Sequence, residues 1–245
     1  MLLGIDHIVV AVADPDQAVA ELGEALGVEP GGGGRHDRLG TFNRLLWLGD
    51  SFIELIGIFE RELAAGSWIG APSVRSMDRG GGLATWAIAT NDIAADVDVL
   101  RAGASEVSDP IDGERVRLDG QVVRWRLATP PRLEPAGPPF LIEHDPTSAE
   151  WTSADRASRA AGPGRLRGIE LAVPDVESTT AQFARTVGIA WHGQPGSTAY
   201  ESWIGDQFVR FRQGDEREPA NITMTVEGTG ATTFALLGCR WTIHD

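Results

Sequence analysis

The chain repeats itself, and that repeat decides most of what it can fold into. Ile8 to Gly27 aligns without a gap on Ile169 to Gly188, so that Ala11-Val12 meets Ala172-Val173 and Asp14 meets Asp175. A second stretch aligns after a loop that is shorter in the later copy. There His36 meets His192, Gly40 meets Gly196, Trp47 meets Trp203, Gly49-Asp50 meets Gly205-Asp206 and Phe52 meets Phe208. Matches on both sides of one gap point to duplication of a structural unit.

The unit reads as β-α-β-β-β. Gly4 to Val12 is an Ile/Val-rich run suited to a buried strand. Asp14-Pro15 supplies an N-cap and first helical residue, Ala18, Val19, Leu22, Ala25 and Leu26 one apolar helix face, and Gly27 a stop. Phe42 to Leu48 and Phe52 to Ile58 are strands joined at Gly49-Asp50, a hairpin signal. A middle unit follows, with a strand at Leu83 to Ala89, a helix at Asp92 to Ala102 and a hairpin of Arg115 to Leu118 with Gln121 to Leu127. Phe140 to Glu143 closes it. The segments Ile222 to Val226, Thr232 to Leu237 and Arg240 to His244 read as a truncated fourth unit.

One such unit cannot bury both faces of its small sheet. The expected fold class is therefore α+β, with repeated β-α-β-β-β units paired into curved half-barrel sheets and helices outside. Residues 1–146 form one domain of two units, and 165–245 a third unit plus the truncated fourth. Strand alternation puts His7 on a face with Ile5, Val9 and Ala11, and Glu54 on a face with Phe52 and Ile56.

Composition narrows the function. Acidic residues number 35 against 21 basic ones, a net charge of −14. That argues against nucleic acid and against an anionic membrane surface as partners. Every basic residue is arginine, so Schiff-base, PLP and P-loop lysine chemistry are excluded. A single cysteine, Cys239, leaves no internal disulfide. With no leader pattern and no long apolar run, the expectation is a cytoplasmic protein whose partner is a small molecule, with a homodimer as one possible assembly.

The segment Gly4-Ile-Asp-His7-Ile-Val-Val-Ala-Val, together with Phe52-Ile-Glu54-Leu-Ile, resembles the vicinal oxygen chelate superfamily of glyoxalase, bleomycin-resistance and dioxygenase proteins. Gly34-Arg35-His36, Gly40-Thr41-Phe42-Asn43 and Leu48-Gly49-Asp50 are similar to its glyoxalase-like domain group of bacterial proteins. The resemblance implies one divalent metal (Zn, Ni, Fe, Mn or Mg), held by a His or Gln on the first strand and a Glu on the last strand of each unit. Such an ion polarises vicinal oxygens as a Lewis acid.

Carried over by residue, the resemblance makes His7, Glu54 and Glu143 the metal ligands, with Glu54 or Glu143 the catalytic base. Thr85 or Leu83 falls opposite His7 in the second unit, and neither suits a metal. In the third unit Gly168 falls opposite His7 and Arg210 opposite Glu54, so the C-terminal half is ligand-poor. His36, Asn43, Trp47 and Trp125 are candidates for contact with substrate. The leading function is a metal-dependent glyoxalase-like lyase or isomerase acting on a small oxygenated metabolite. The alternative is a metal-free binding protein of the bleomycin-resistance type, with tryptophans, Trp86 included, stacking on the ligand.

Overall fold

The computed structural model describes residues 1–117, 119–194 and 196–244. Its first unit comprises β1 (Leu2–Ala11), α1 (Pro15–Leu26), β2 (Gly33–His36), β3 (Thr41–Leu48) and β4 (Ser51–Ile58). Two short helices follow, α2 (Arg61–Ala65) and α3 (Gly70–Met77). The second unit comprises β5 (Gly82–Thr90), α4 (Ile93–Ala102), β6 (Ile111–Val116), β7 (Val122–Ala128) and β8 (Phe140–His144). After α5 (Ser153–Ala160) come β9 (Gly164–Val173), α6 (Val176–Val187), β10 (Ala199–Ile204) and β11 (Gln207–Gln213). The chain ends with β12 (Asn221–Val226), β13 (Thr232–Leu236) and β14 (Cys239–His244). Leu118, expected to end a strand, lies outside the described residues.

The first two units do more than form half-barrels: they close into an eight-stranded barrel of order β1-β4-β3-β2-β6-β7-β8-β5. Each unit pairs its first and last strands in parallel, and the units meet through antiparallel β1 and β5. The other seam is narrow, a single pair between Arg35 of β2 and Val116 of β6. The C-terminal half stays an open sheet of order β10-β11-β9-β12-β14-β13.

The duplication is visible in both caps and register. Asp14 accepts hydrogen bonds from the Asp16 and Gln17 amides at the start of α1, and Asp175 accepts one from Ser178 at the start of α6. Such a cap contributes about 1 kcal/mol. Gly27 and Gly188 end the two helices at φ 67° and 69°, a conformation open to glycine without a Cβ penalty. Trp47 pairs with Phe52 as Trp203 pairs with Phe208, and Phe52 lies beside His7 as Phe208 lies beside Gly168.

One expected equivalence fails. His36 pairs with Thr41, whereas His192 bridges Glu201, the counterpart of Leu45. In the first unit the residue beside Leu45 is Gly32, whose carbonyl accepts the Leu45 amide. His192 therefore stands where Gly32 stands, and four of the five residues missing from the later copy fall after it.

The faces separate cleanly. Ile8, Val10, Ile53 and Leu55 point out of the barrel and join Val19, Leu22 and Leu26 of α1 in one core with Phe183 and the C-terminal sheet residues Ile169, Val209 and Met224. Trp86 belongs to this outer core, with its ring 6.2 Å from Phe183. It therefore lies away from the barrel interior. Gln207 fastens the halves, donating to Ser51 Oγ at 2.9 Å and accepting the Ile5 amide at 2.5 Å. Cys239 is buried here, and burial pushes its thiol up to about 12. No helix among the described residues is long and apolar enough to cross a membrane.

Candidate functional site

The barrel interior holds a cavity of about 60 Å³, lined by His7, His36, Asn43, Glu54, Arg115 and His144 among the polar groups. That is room for ordered water, which needs ~10–15 Å³, but under half the ~150 Å³ of a cavity that binds benzene. Phe52, Trp68, Trp125, Phe140 and Trp151 form its aromatic walls.

His7 arrives there by an irregularity. β1 slips register against β5 between Ile5 and His7, a β-bulge at Asp6. The expected shared face of Ile5 and His7 is broken by it: Ile5 joins the outer core, while His7 looks inward with Val9 and Ala11. Bulges re-aim side chains in this way, commonly beside active sites. The bulge also buries the Asp6 carboxylate between two imidazoles. His7 Nδ1 lies 2.5 Å from Asp6 Oδ1, and His144 Nε2 lies 3.0 and 3.1 Å from the two Asp6 oxygens. Burial opposes ionisation of Asp6, yet His144 and then His7 hold its carboxyl below the usual carboxylate range. With an ionised acceptor between them, both imidazoles direct an N–H at Asp6.

That assignment leaves His7 Nε2 facing Glu54 Oε2 at 3.5 Å. The other Glu54 oxygen accepts from Asn43 Nδ2 at 2.7 Å, and Asn43 Oδ1 accepts the Gly34 amide at 2.8 Å. At 3.5 Å the His7–Glu54 contact is longer than a hydrogen bond, and both groups line the cavity. The His7 ring is clamped by stacking on Phe52 at 4.5 Å and by the edge of Phe140 at 5.4 Å. His36 lines the cavity with Nδ1 3.1 Å from Thr41 Oγ1, and burial depresses its pKa, which favours the neutral ring.

Glu143 is placed elsewhere, which corrects the expectation that it converges with His7 and Glu54. On β8 it is Phe140, Ile142 and His144 that face the cavity. Glu143 alternates outward, accepting from the Ile93 amide at 3.3 Å and standing 3.8 Å from Arg126. Trp47 also lies off the cavity wall. It packs behind Phe52 and Trp151, with the Arg159 guanidinium 4.1 Å above its ring. Trp125 does line the cavity, lying so close over Gly113 that a Cβ there would come within 2.3 Å of its Nε1.

Strand register shows what the second unit offers in place of ligands. His7 pairs with Phe52 across the parallel β1–β4 ladder, and Ala87 pairs with Phe140 across β5–β8. Ala87 is thus the counterpart of His7, and Ile142, two residues past Phe140, the counterpart of Glu54. Neither Thr85 nor Leu83 takes that place. Both counterparts are apolar and buried. Among the described residues, no three His, Cys, Asp or Glu side chains group so as to hold a metal ion. The donors present, one imidazole and one carboxylate, make up only half of the four-ligand site the resemblance implies, and so do not fit it.

Several wall residues come from segments with no chemical signature in the sequence. Trp68 and Ile69 sit between α2 and α3. Glu150 and Trp151 belong to the stretch that reads as an inter-domain boundary. That stretch is a strap running along β7, where the Asp145 amide donates to Arg124 O at 3.0 Å and the Ala149 amide to Val122 O at 3.3 Å. Trp151 stacks on His144 at 3.6 Å, and Glu150 pairs with buried Arg115 at 2.7 Å.

An α+β barrel of paired β-α-β-β-β units, with a His–Glu pair inside, defines a glyoxalase-like fold. The glyoxalase-like domain family matches residues 5–187, and the chain belongs to that family, within the vicinal oxygen chelate superfamily. A hypothetical protein from Staphylococcus aureus shares the fold over 100% of this chain and 99% of its own, with TM-score 0.83 and 18% identity. Methylmalonyl-CoA epimerase from Mycobacterium tuberculosis aligns over 58% of this chain and 89% of its own, with TM-score 0.43 and 22% identity. A single-substitution form of the Streptomyces coelicolor epimerase, in complex with 2-nitronate-propionyl-CoA, aligns over 61% and 99%, with TM-score 0.45 and 21% identity. No curated protein matches the sequence.

Proposed function

We propose that the protein is an enzyme that moves a proton on a small oxygenated molecule held in the barrel cavity, with His7 and Glu54 as the acid–base couple. The observation that carries this reading is the buried chain Asp6–His7–Glu54, whose last contact faces the cavity. Asp6 fixes the tautomer and orientation of His7, which leaves Nε2, beside Glu54, open to accept a proton from a substrate and return it. A carbon acid beside a carbonyl would lose its proton to this pair. It would regain one at the same or a neighbouring atom, as an isomerase does, or expel a leaving group, as a lyase does. General acid–base catalysis of this kind contributes typically ~10²–10⁴-fold. Asn43 braces Glu54 and orients it. Because the donor set does not complete a metal site, the proton transfer is assigned to the side chains themselves.

The test is hydrogen exchange in D₂O. Small 2-hydroxy and 2-oxo carbonyl compounds are incubated with the protein, and loss of the C–H signal is followed by ¹H NMR. Exchange at a carbon next to a carbonyl, lost in both His7→Gln and Glu54→Gln, is the expected result. Exchange that survives both substitutions would exclude the His7–Glu54 couple. The apolar counterparts Ala87 and Ile142 favour a second reading, a binding protein that holds its ligand without turnover. Saturable binding of a compound that shows no exchange would select it.

A further inference from the structure

We propose that the cavity selects a small organic cation, and that Glu150, supplied by the strap rather than the barrel, receives its N–H group. This deepens the reading of the same cavity but rests on charge and shape, not on proton transfer.

Glu150 is an unusual residue to find inside. It takes a left-handed backbone conformation, φ 69°, which a non-glycine residue adopts at some cost and which clusters at functional sites. Its side chain is 7% exposed. Oε2 accepts from Arg115 Nη2 at 2.7 Å, but Oε1 is buried with no hydrogen-bond donor. A carboxylate oxygen left in that state costs free energy that a donor would recover. The guanidinium groups nearby do not reach it. Arg115 spends Nη1 on the Gly33 carbonyl at 2.5 Å. Arg117 comes no closer to Oε1 than 3.7 Å and pairs with Asp119 at 3.1 Å. Arg159 gives Nη1 to the Glu150 carbonyl and lies over Trp47 and Trp151; its buried Nε and Nη2 make no hydrogen bond, and Nη2 faces Asp50 at 3.6 Å rather than Glu150 Oε1.

The interior charge agrees. Glu54 and Glu150 are buried carboxylates on the cavity wall, whereas Arg115 is the one buried guanidinium there among the described residues. A neutral His36 adds nothing, which leaves an excess of negative charge. Phe52, Phe140, Trp68 and Trp125 surround that excess with ring faces and edges, the setting in which a desolvated cation is attracted to aromatic rings by ~2 kcal/mol or more. The neighbouring groove, which shares Trp125 and His144 with the cavity wall, does not reverse the sign. Arg38, Arg124 and Arg126 are outnumbered there by Asp112, Glu114, Glu143 and Asp145. A polyanionic carrier group would find no complementary surface along it.

Size completes the class. At about 60 Å³ the cavity is under half the ~150 Å³ that takes up one benzene, so the cation is smaller than an aromatic ring. The experiment therefore uses three small probes of similar shape: ethylammonium, ethanol and acetate. Each is titrated into the wild-type protein at one pH and ionic strength, and read by tryptophan fluorescence and calorimetry. Ethylammonium is expected to bind about tenfold or more tighter than ethanol, with acetate weakest. Glu150→Gln should narrow the gap between cation and alcohol to about twofold or less. Acetate binding as tightly as ethylammonium, or no binding by any of the three, would overturn the proposal. Should Glu150→Gln fail to fold, the wild-type ranking still decides. That ranking is independent of the D₂O exchange result, so either proposal can fail alone.

Discussion

Restoring the two missing donors should turn the cavity into a metal site. Ala87→His and Ile142→Glu, made together, place an imidazole and a carboxylate at the counterparts of His7 and Glu54. The existing half is already spaced for the task. Tetrahedral ligands at ~2.0–2.2 Å from zinc lie about 3.3–3.6 Å from each other, and His7 Nε2 stands 3.5 Å from Glu54 Oε2. Without metal the double variant loses apolar packing at Ile142 and gains a buried carboxylate near Glu54, so it should melt below the wild type. With zinc at 100 times its dissociation constant, mass action returns about 2.7 kcal/mol. At ~2–4 °C per kcal/mol for a chain of this size, that is a rise of about 5–11 °C in Tm. The assay is a thermal melt with EDTA and with zinc, alongside elemental analysis after desalting. Wild type should show a zinc-dependent shift below about 1 °C. The reasoning is refuted if wild type gains 5 °C with zinc and loses that gain in His7→Gln. It is refuted equally if the folded double variant gains nothing, because the Ala87–Phe140 register would then be the wrong guide to ligand position.

Asp6→Asn breaks a buried, doubly hydrogen-bonded carboxylate and should lower stability at pH 7 by about 3–5 kcal/mol. Because the folded pKa of Asp6 is depressed, its contribution is present above the unfolded carboxylate value of ~3.9 and fades as pH falls below it. The gap in Tm between wild type and Asp6→Asn should therefore shrink between pH 5 and pH 2, and a constant gap would contradict the assignment. Glu143→Ala should leave both probe binding and D₂O exchange within about twofold of wild type, since Glu143 faces away from the cavity. A tenfold loss would return it to the site.

The repeat made the architecture readable because it constrains everything around it. An N-cap, a stop glycine and a hairpin recurring in order leave few folds open, and alternation along Phe52, Glu54 and Ile56 correctly turns Glu54 inward. What alternation could not reveal is the bulge at Asp6. One extra residue in β1 inverts the parity upstream of His7, and nothing in Gly-Ile-Asp-His marks it. Glu143 and His144 show the same limit. Both are donors, they are adjacent, and a shift of one residue exchanges inside for outside. Arg115 and Glu150 lie beyond any local pattern, being 35 residues apart in sequence and joined only by closure of the barrel and the path of the strap.

A part in the site falls to that strap rather than to the C-terminal sheet, none of whose described residues lines the cavity. In the third unit Gly168 stands where His7 would, and Arg210 where Glu54 would. Arg210 is spent on Glu201 and Glu170 across the open face of the sheet. This sheet and α6 instead cover the outside of the barrel in one continuous core. The segment leading from β8 to β9 passes along the cavity wall, to which it contributes Glu150 and Trp151. It passes there tied down, by Thr152 capping α5, by Arg159 on the Glu150 carbonyl and by Trp151 on His144. These ties, with Arg115 on its carboxylate, hold Glu150 at a backbone conformation that a free linker would not keep, and with it a buried carboxylate oxygen that no donor reaches.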